Sequence, residues 1–142
     1  MMGGGEPQQF REMAAQVQAA WSEHQRPGRP RTAALAFFCL GSRARETADS
    51  FLGHYYDFPP DAGDRALIDA AGASSLAEVI VQDTAMTAEA VRNLADEWAA
   101  VGCDELILLP CSGDPGQVDL LADALGTRLP VSRHAHATAR QG

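Results

Sequence analysis

The residues with the most reactive side chains are the three cysteines, Cys39, Cys103 and Cys111. A thiolate can act as a nucleophile or a metal ligand, but these three lie far apart and form no CxxC, CxxH or HExxH spacing. The sequence therefore predicts neither a local disulfide framework nor a zinc site. Cys111 directly follows an apolar run and is a candidate nucleophile, whereas Cys39 lies within an apolar run and is expected in the core. Because no partner histidine can be identified for Cys111, a packing role is favoured.

The histidines and the N-terminal glycines give weaker signals. His134 and His136 form an HxH pair for which nothing supplies a third ligand, so no metal site is predicted. His54 precedes two tyrosines and indicates either a polar pocket or the end of a helix. The run Gly3, Gly4, Gly5 does not complete a GxGxxG fingerprint after a strand, so it does not predict a dinucleotide site. The sequence identifies no catalytic residue.

Composition limits the class of protein. With 142 residues, 46% of them hydrophobic, the chain can form one globular domain with a sizeable core. Its net charge of −8 and pI near 4.8 argue against a nucleic-acid surface, which needs clustered basic residues. No apolar run approaches the ~20 residues of a membrane span, and the N-terminus does not resemble a secretory signal. We therefore expect a cytoplasmic protein with no nucleic-acid or membrane partner.

Residues 102–125 predict one βα unit. A glycine that can end a helix, Gly102, is followed by the apolar run 106–109, a turn over 110–114, and a helix opened by Asp114 and Pro115. Such a unit has two apolar faces, which must be covered by other parts of a protein.

The rest of the chain predicts further helices and one more strand. Apolar periodicity predicts helices over about 7–24, from Ser42 to about 56, and from the N-cap Thr87 to Gly102. Residues 26–30, RPGRP, form a loop, and 32–40, TAALAFFCL, read as a strand buried on both faces. Two short helices, 65–71 and 76–81, are expected within 61–84, and 126–142 is expected to be irregular. Two strands alternating with helices indicate a parallel α/β sheet, but one with both edges unpaired.

Four stretches together resemble the C-terminal part of the luciferase-like monooxygenases, the flavin- or deazaflavin-dependent oxidoreductases built on a TIM barrel. They are MGGGEPQQF at 2–10, RPRTAALAFFCLG at 29–41, AMTAEAVRNLADEWAAVGCDELILLP at 85–110 and SGDPGQVDLLADAL at 112–125. The resemblance implies a partial TIM (β/α)8 barrel, in which 32–40 is the seventh strand, 105–110 the eighth, and 61–84 a helical insertion. The barrel domain would span 1–128, followed by an irregular tail over 129–142.

The resemblance also implies a cofactor and a place for it. Reduced FMN or a reduced deazaflavin coenzyme would lie at the carboxyl ends of the strands, beside a small organic substrate. The pocket-wall positions would be Gly3, Gly4, Gly5, Leu40, Gly41, Cys111 and Ser112. The first five strands of such a barrel have no counterpart here, so we expect the isolated chain to be inactive.

Three functions follow as alternatives. The first is a luciferase-like oxidoreductase, and the second is a catalytically silent fragment of one. The third is a half-barrel module that completes its sheet with a partner chain or by self-association. The main structural expectation is that residues 32–40 pair with 105–110, while the outer edge of 105–110 has no partner.

Overall fold

A computed structural model describes residues 2–3 and 7–127 of the chain. Its elements are β1 (Met2–Gly3), α1 (Pro7–Glu23), β2 (Ala33–Phe38), α2 (Ala44–Tyr55), α3 (Ala62–Ala71), α4 (Leu76–Asp83), α5 (Ala88–Ala100), β3 (Glu105–Pro110) and α6 (Gly116–Ala124). The alternation of helices and strands predicted from apolar periodicity is confirmed over this range. The predicted irregular tail beyond residue 127 lies outside the described residues.

The strands form a parallel sheet in the order β1-β2-β3. β2 and β3 pair over their whole length, from Ala33 opposite Glu105 to Phe38 opposite Pro110, as predicted. β1 contributes only two residues, with Gly3 opposite Leu35. Within the described residues, β3 has no neighbour on its outer side, so its outer edge is open there.

The predicted partial TIM barrel is wrong. The described residues form a small α/β domain with six helices around a sheet that has only two full-length strands, so the assignment of these strands as the seventh and eighth of a barrel has no support. The physical reason is that βα units connect neighbouring strands in the same way in every parallel sheet, open or closed. A local βα pattern therefore predicts parallel pairing without specifying closure, which requires eight strands.

Helices α1, α5 and α6 cover one face of the sheet. Phe38 of β2 packs with Val91 of α5 and Ala124 of α6 in a buried cluster. Nearer the amino ends of the strands, Phe10 of α1 and Trp98 of α5 meet edge to face, with ring centroids 5.1 Å apart. These contacts bury the apolar stripe of α5 that the sequence predicts, whereas α1 is held mainly through Phe10 and the rest of its predicted apolar stripe is partly or fully exposed.

The opposite face is covered mainly at its carboxyl end. There, α2 and α4 pack over Cys39 and Cys111 through a buried cluster that includes Ala48, Leu52 and Val81, and α3 packs against α4. Along the strands, four apolar residues that alternation places on this face are only partly buried: Leu35, Phe37, Ile107 and Leu109, of which Phe37 packs against that cluster. A fully parallel sheet normally has both faces covered, so this face is incomplete within the described residues.

Local signals explain most helix ends. The hydroxyl of Thr87 accepts a hydrogen bond from the amide of Ala90 at 3.0 Å, which confirms it as the N-cap of α5. Gly102 has φ of 82°, in the left-handed region that favours glycine, and follows the end of that helix. The predicted cap of α2 is wrong: its N-cap is Arg43, whose side chain makes no capping bond, and the helix begins two residues after Ser42.

Candidate functional site

The candidate site lies at the carboxyl ends of β2 and β3, where Leu40 and Gly41 lie beside Cys111 and Ser112. Because the two strands are parallel and in register up to Phe38 and Pro110, the four residues that follow them come to the same edge of the sheet. Gly41 is exposed and has φ of 110°, so the chain turns sharply away from β2 at this point.

The N-terminal glycines are placed differently. Gly3 pairs with Leu35, five residues before Leu40, which corresponds to about 16 Å along the strand direction. Gly4 and Gly5 lie outside the described residues. The structure therefore brings Leu40, Gly41, Cys111 and Ser112 together and does not bring Gly3 to the same level of the sheet.

Gln117 closes this edge. Its side-chain oxygen accepts the amide hydrogen of Leu40, and its side-chain nitrogen donates to the carbonyl of Leu40, each at 2.8 Å. Gln117 is only 7% exposed and lies in the first turn of α6. Both backbone groups that β2 would offer to a ligand at Leu40 are therefore already paired.

Sequence reasoning missed Gln117, although a signal was present. Gln117, Leu121 and Ala124 follow the i, i+4, i+7 spacing of the apolar face of α6. A glutamine on a buried helical face must find hydrogen-bond partners. The end of a neighbouring strand is where unpaired backbone groups become available.

The two cysteines of the edge are buried. Cys111 is 0% exposed and Cys39 is 1% exposed. Burial, with a smaller effect of the neighbouring Cys39, raises the pKa of the Cys111 thiol to about 12, although a hydrogen bond with Thr84 opposes the rise. Burial also raises the pKa of Cys39. Since the thiolate is the nucleophile, burial and the raised pKa disfavour Cys111 as one in this structure.

The loop between β3 and α6 is organised by its own hydrogen bonds. The amide of Asp114 donates to the Ser112 hydroxyl at 3.1 Å, and the amide of Gly116 donates to the Asp114 carboxylate at 2.9 Å. The start of α6 thus already holds a carboxylate, which would repel a phosphate group at this position. The predicted role of Asp114 in opening the helix agrees with these contacts.

The residues present do not by themselves fit a flavin or deazaflavin. A cofactor of that size needs a concave site that encloses most of its surface. Depressions of about 280 and 400 Å³ lie on the described surface, one lined by Trp21 and neighbouring α1 residues and the other by Arg43, Glu46 and Asp49 of the α2 region. Neither depression includes Leu40, Gly41, Cys111 or Ser112, although the second is also lined by Ser42, which follows Gly41. With the Leu40 backbone paired, Cys111 buried and Asp114 at the helix start, the edge offers mainly Gly41, Ser112 and Gly113 as accessible surface.

The other candidate residues do not join this edge. His54 is exposed near the end of α2. His134 and His136 lie outside the described residues. Among the residues that the structure describes, no three of histidine, cysteine, aspartate and glutamate are grouped to hold a metal ion. No helix in that part of the chain is long and apolar enough to cross a membrane.

Comparisons with protein-family models, with curated proteins and with solved structures gave no match to this chain.

Proposed function

We propose that this chain is a sheet-completing module of a luciferase-like, flavin- or deazaflavin-dependent oxidoreductase, and that it contributes to a cofactor site only after it associates with further βα units. Those units would come from a partner chain or from a second copy. The observation that carries the proposal is the open β3 edge next to a half-covered apolar sheet face. The oxidoreductase part is supported by the resemblance of the four sequence stretches alone.

The open edge favours pairing with another strand. A strand at the edge of a sheet offers unpaired backbone groups to any extended segment that can reach it. The exposed acidic side chain of Glu105 and the ring of Pro110 lie at the two ends of β3, and between them lies the apolar run 106–109. The centre of β3 is therefore the part of this edge that favours a further strand.

The half-covered face favours a partner that adds apolar surface. Leu35, Phe37, Ile107 and Leu109 lie next to one another on paired strands and remain partly exposed within the described residues. Covering apolar surface contributes roughly 25 cal/mol per Å². A partner that extends the sheet past β3 and curves over this face would satisfy the edge and the face together.

In the assembled protein, Gly41 and Ser112 would form part of one wall of the cofactor site, beside a small organic substrate. The residues of this chain would shape and orient the pocket. We propose a cytoplasmic location, where free cysteines such as these are the rule.

Association is tested by light scattering after size-exclusion chromatography of the purified chain, alone and mixed with a lysate fraction from which partners are recovered by affinity capture. Ile107→Lys places a charge on the open face at the edge strand and should reduce association. Leu67→Lys, at a position that is 54% exposed on α3, is the matched control and should not. A chain that stays monomeric at 15.1 kDa and captures no partner would contradict the proposal.

Cofactor binding is tested by titrating reduced FMN and a reduced deazaflavin coenzyme against the monomeric and the associated chain. We expect binding only by the associated form. Submicromolar binding by the monomer would show that the cofactor site does not require completion of the sheet by association. Association without binding of either cofactor would remove the oxidoreductase part and leave a catalytically silent module.

A further inference from the structure

Cys39 and Cys111 occupy neighbouring positions on adjacent parallel strands. The β2–β3 register ends with Phe38 opposite Pro110, so the next residue on each strand is a cysteine. The amide of Cys111 donates to the carbonyl of Phe38 at 2.9 Å, which continues the ladder to this level. Two cysteines that are distant in sequence are thus side by side on adjacent strands.

Their side chains lie on the same face and in the same environment. Register partners in a sheet point to the same side, and both cysteines pack in the buried cluster formed with α2 and α4. The ionisation of the Cys111 thiol is affected by Cys39, as expected for two sulfur groups in close proximity. Both are free thiols.

The backbone spacing suits a disulfide. Neighbouring strands are about 4.8 Å apart, and the Cα atoms of a disulfide lie about 4.4–6.8 Å apart. Both cysteines follow the last residue of their strands, where the backbone is less constrained than within the ladder. The amide of Leu40 is already directed to Gln117 rather than to β3, so the strands separate just beyond this pair.

We propose that Cys39 and Cys111 form an oxidative modification site, at which a low-molecular-weight disulfide such as oxidised glutathione converts the two thiols into a disulfide that joins β2 to β3. One cysteine thiolate attacks the small disulfide and releases one small thiol. The second cysteine then attacks the mixed disulfide and releases the other. Two electrons and two protons pass from the chain to the oxidant, which leaves as two thiols.

Burial sets the rate of this reaction. The fully packed thiols must be reached through local opening of the carboxyl edge, where α2 and α4 cover them. Once formed, the bond would fix the two strands at the edge that faces a ligand. It would also cross-link two residues that are far apart in sequence, which stabilises the folded chain.

The experiment uses the full chain with Cys103→Ser, so that Cys39 and Cys111 are the remaining thiols. The folded variant is incubated with oxidised glutathione, its free thiols are blocked, and it is digested with trypsin without reduction. The sequence places Cys39 in the tryptic peptide 32–43 and Cys111 in 93–128. We expect these two peptides to be joined, the mass of the chain to fall by two hydrogen atoms, and the urea midpoint to rise until a reductant is added.

The matched control is Cys39→Ser, which keeps Cys103 and Cys111. These lie at opposite ends of β3, roughly 25 Å apart by strand geometry, and should not cross-link while the chain is folded. Both are in the tryptic peptide 93–128, so a disulfide between them is measured as the loss of two hydrogen atoms from that peptide rather than as joined peptides. In urea, where the chain is unfolded, we expect the two variants to form their disulfides to a similar extent. Two results would overturn the proposal: no joined peptides from the folded Cys103→Ser variant when its unfolded form cross-links, or equal cross-linking of the two folded variants. Circular dichroism of each variant before oxidation establishes that it is folded.

Discussion

Replacement of Trp98 by alanine tests whether α5 is docked on the sheet. Trp98 is 3% exposed and packs edge to face against Phe10, which is 4% exposed. Removing a buried tryptophan costs about 3–5 kcal/mol, of which an aromatic pair accounts for about 0.5–1.5 kcal/mol. A domain of this size is stable by only about 5–15 kcal/mol, so the loss is a large share of the total.

The assay is urea unfolding followed by circular dichroism, because Trp21 would complicate fluorescence as a probe. Met13→Ala, at a position that is 48% exposed on α1, is the control and should change the free energy of unfolding by less than about 0.5 kcal/mol. A double variant with Phe10→Ala should show coupling of about 0.5–1.5 kcal/mol between the two rings. An unchanged midpoint for Trp98→Ala would refute the docking of α5 against the sheet and α1.

Three further predictions concern polar contacts. Gln117→Leu should destabilise the chain by about 1–3 kcal/mol for each Leu40 backbone group left unpaired, and should speed hydrogen exchange of the Leu40 amide; unchanged exchange would contradict the contact. Hydrogen bonding to Arg29 lowers the pKa of Asp104, so the stability from this pair is present at neutral pH and is lost as pH falls below about 4, the unfolded value. Asp104→Asn should therefore reduce the loss of stability in acid, and an identical acid limb in both proteins would show that the pair does not contribute. Thr87→Ala should cost about 1 kcal/mol in urea unfolding through loss of the α5 N-cap, and Thr87→Ser should restore most of it; equal midpoints for both variants would contradict the cap.

The helices and strands were largely predictable because their signals are local. Apolar residues at helical spacing placed α1 and α5, and the continuous apolar runs placed β2 and β3 within two residues of their observed ends. The cap of α2 was missed because Ser42 has the right side chain, but the chain turns at Gly41 and α2 begins only at Ala44. Choosing among adjacent candidate caps depends on tertiary packing, which the sequence does not display.

The extent of the sheet was not predictable from the same signals. A βα unit reports that its strand pairs in parallel, and this was correct for β2 and β3. A βα unit does not indicate how many strands lie beyond its neighbours. The two units of this chain therefore did not establish a barrel. The two-residue strand β1 has no periodicity of its own, because two residues cannot show one.

The juxtaposition of four of the predicted site residues was predictable, whereas the different level of Gly3 and the contacts of the edge were not. Strand ends marked the level of Leu40 and Cys111, since ligands in parallel sheets bind at the carboxyl edge. The closure of that edge depends on Gln117, which is 77 residues from Leu40 in the chain. The opposition of Cys39 and Cys111 depends on strand register, which is set only when both strands are paired.

The carboxyl edge of the sheet and the outer side of β3 differ in how fully they are occupied, and this difference predicts whether association or ligand binding comes first. The carboxyl edge is filled: Gln117 pairs the end of β2, and Asp114 occupies the start of α6. The outer side of β3 and the face that carries Ile107 are open within the described residues. Free energy is therefore available from covering the open face, whereas ligand binding at the filled edge must first displace existing hydrogen bonds. Association should therefore precede ligand binding at the carboxyl edge, and a ligand that binds the associated chain more tightly than the monomer should strengthen association by the same factor.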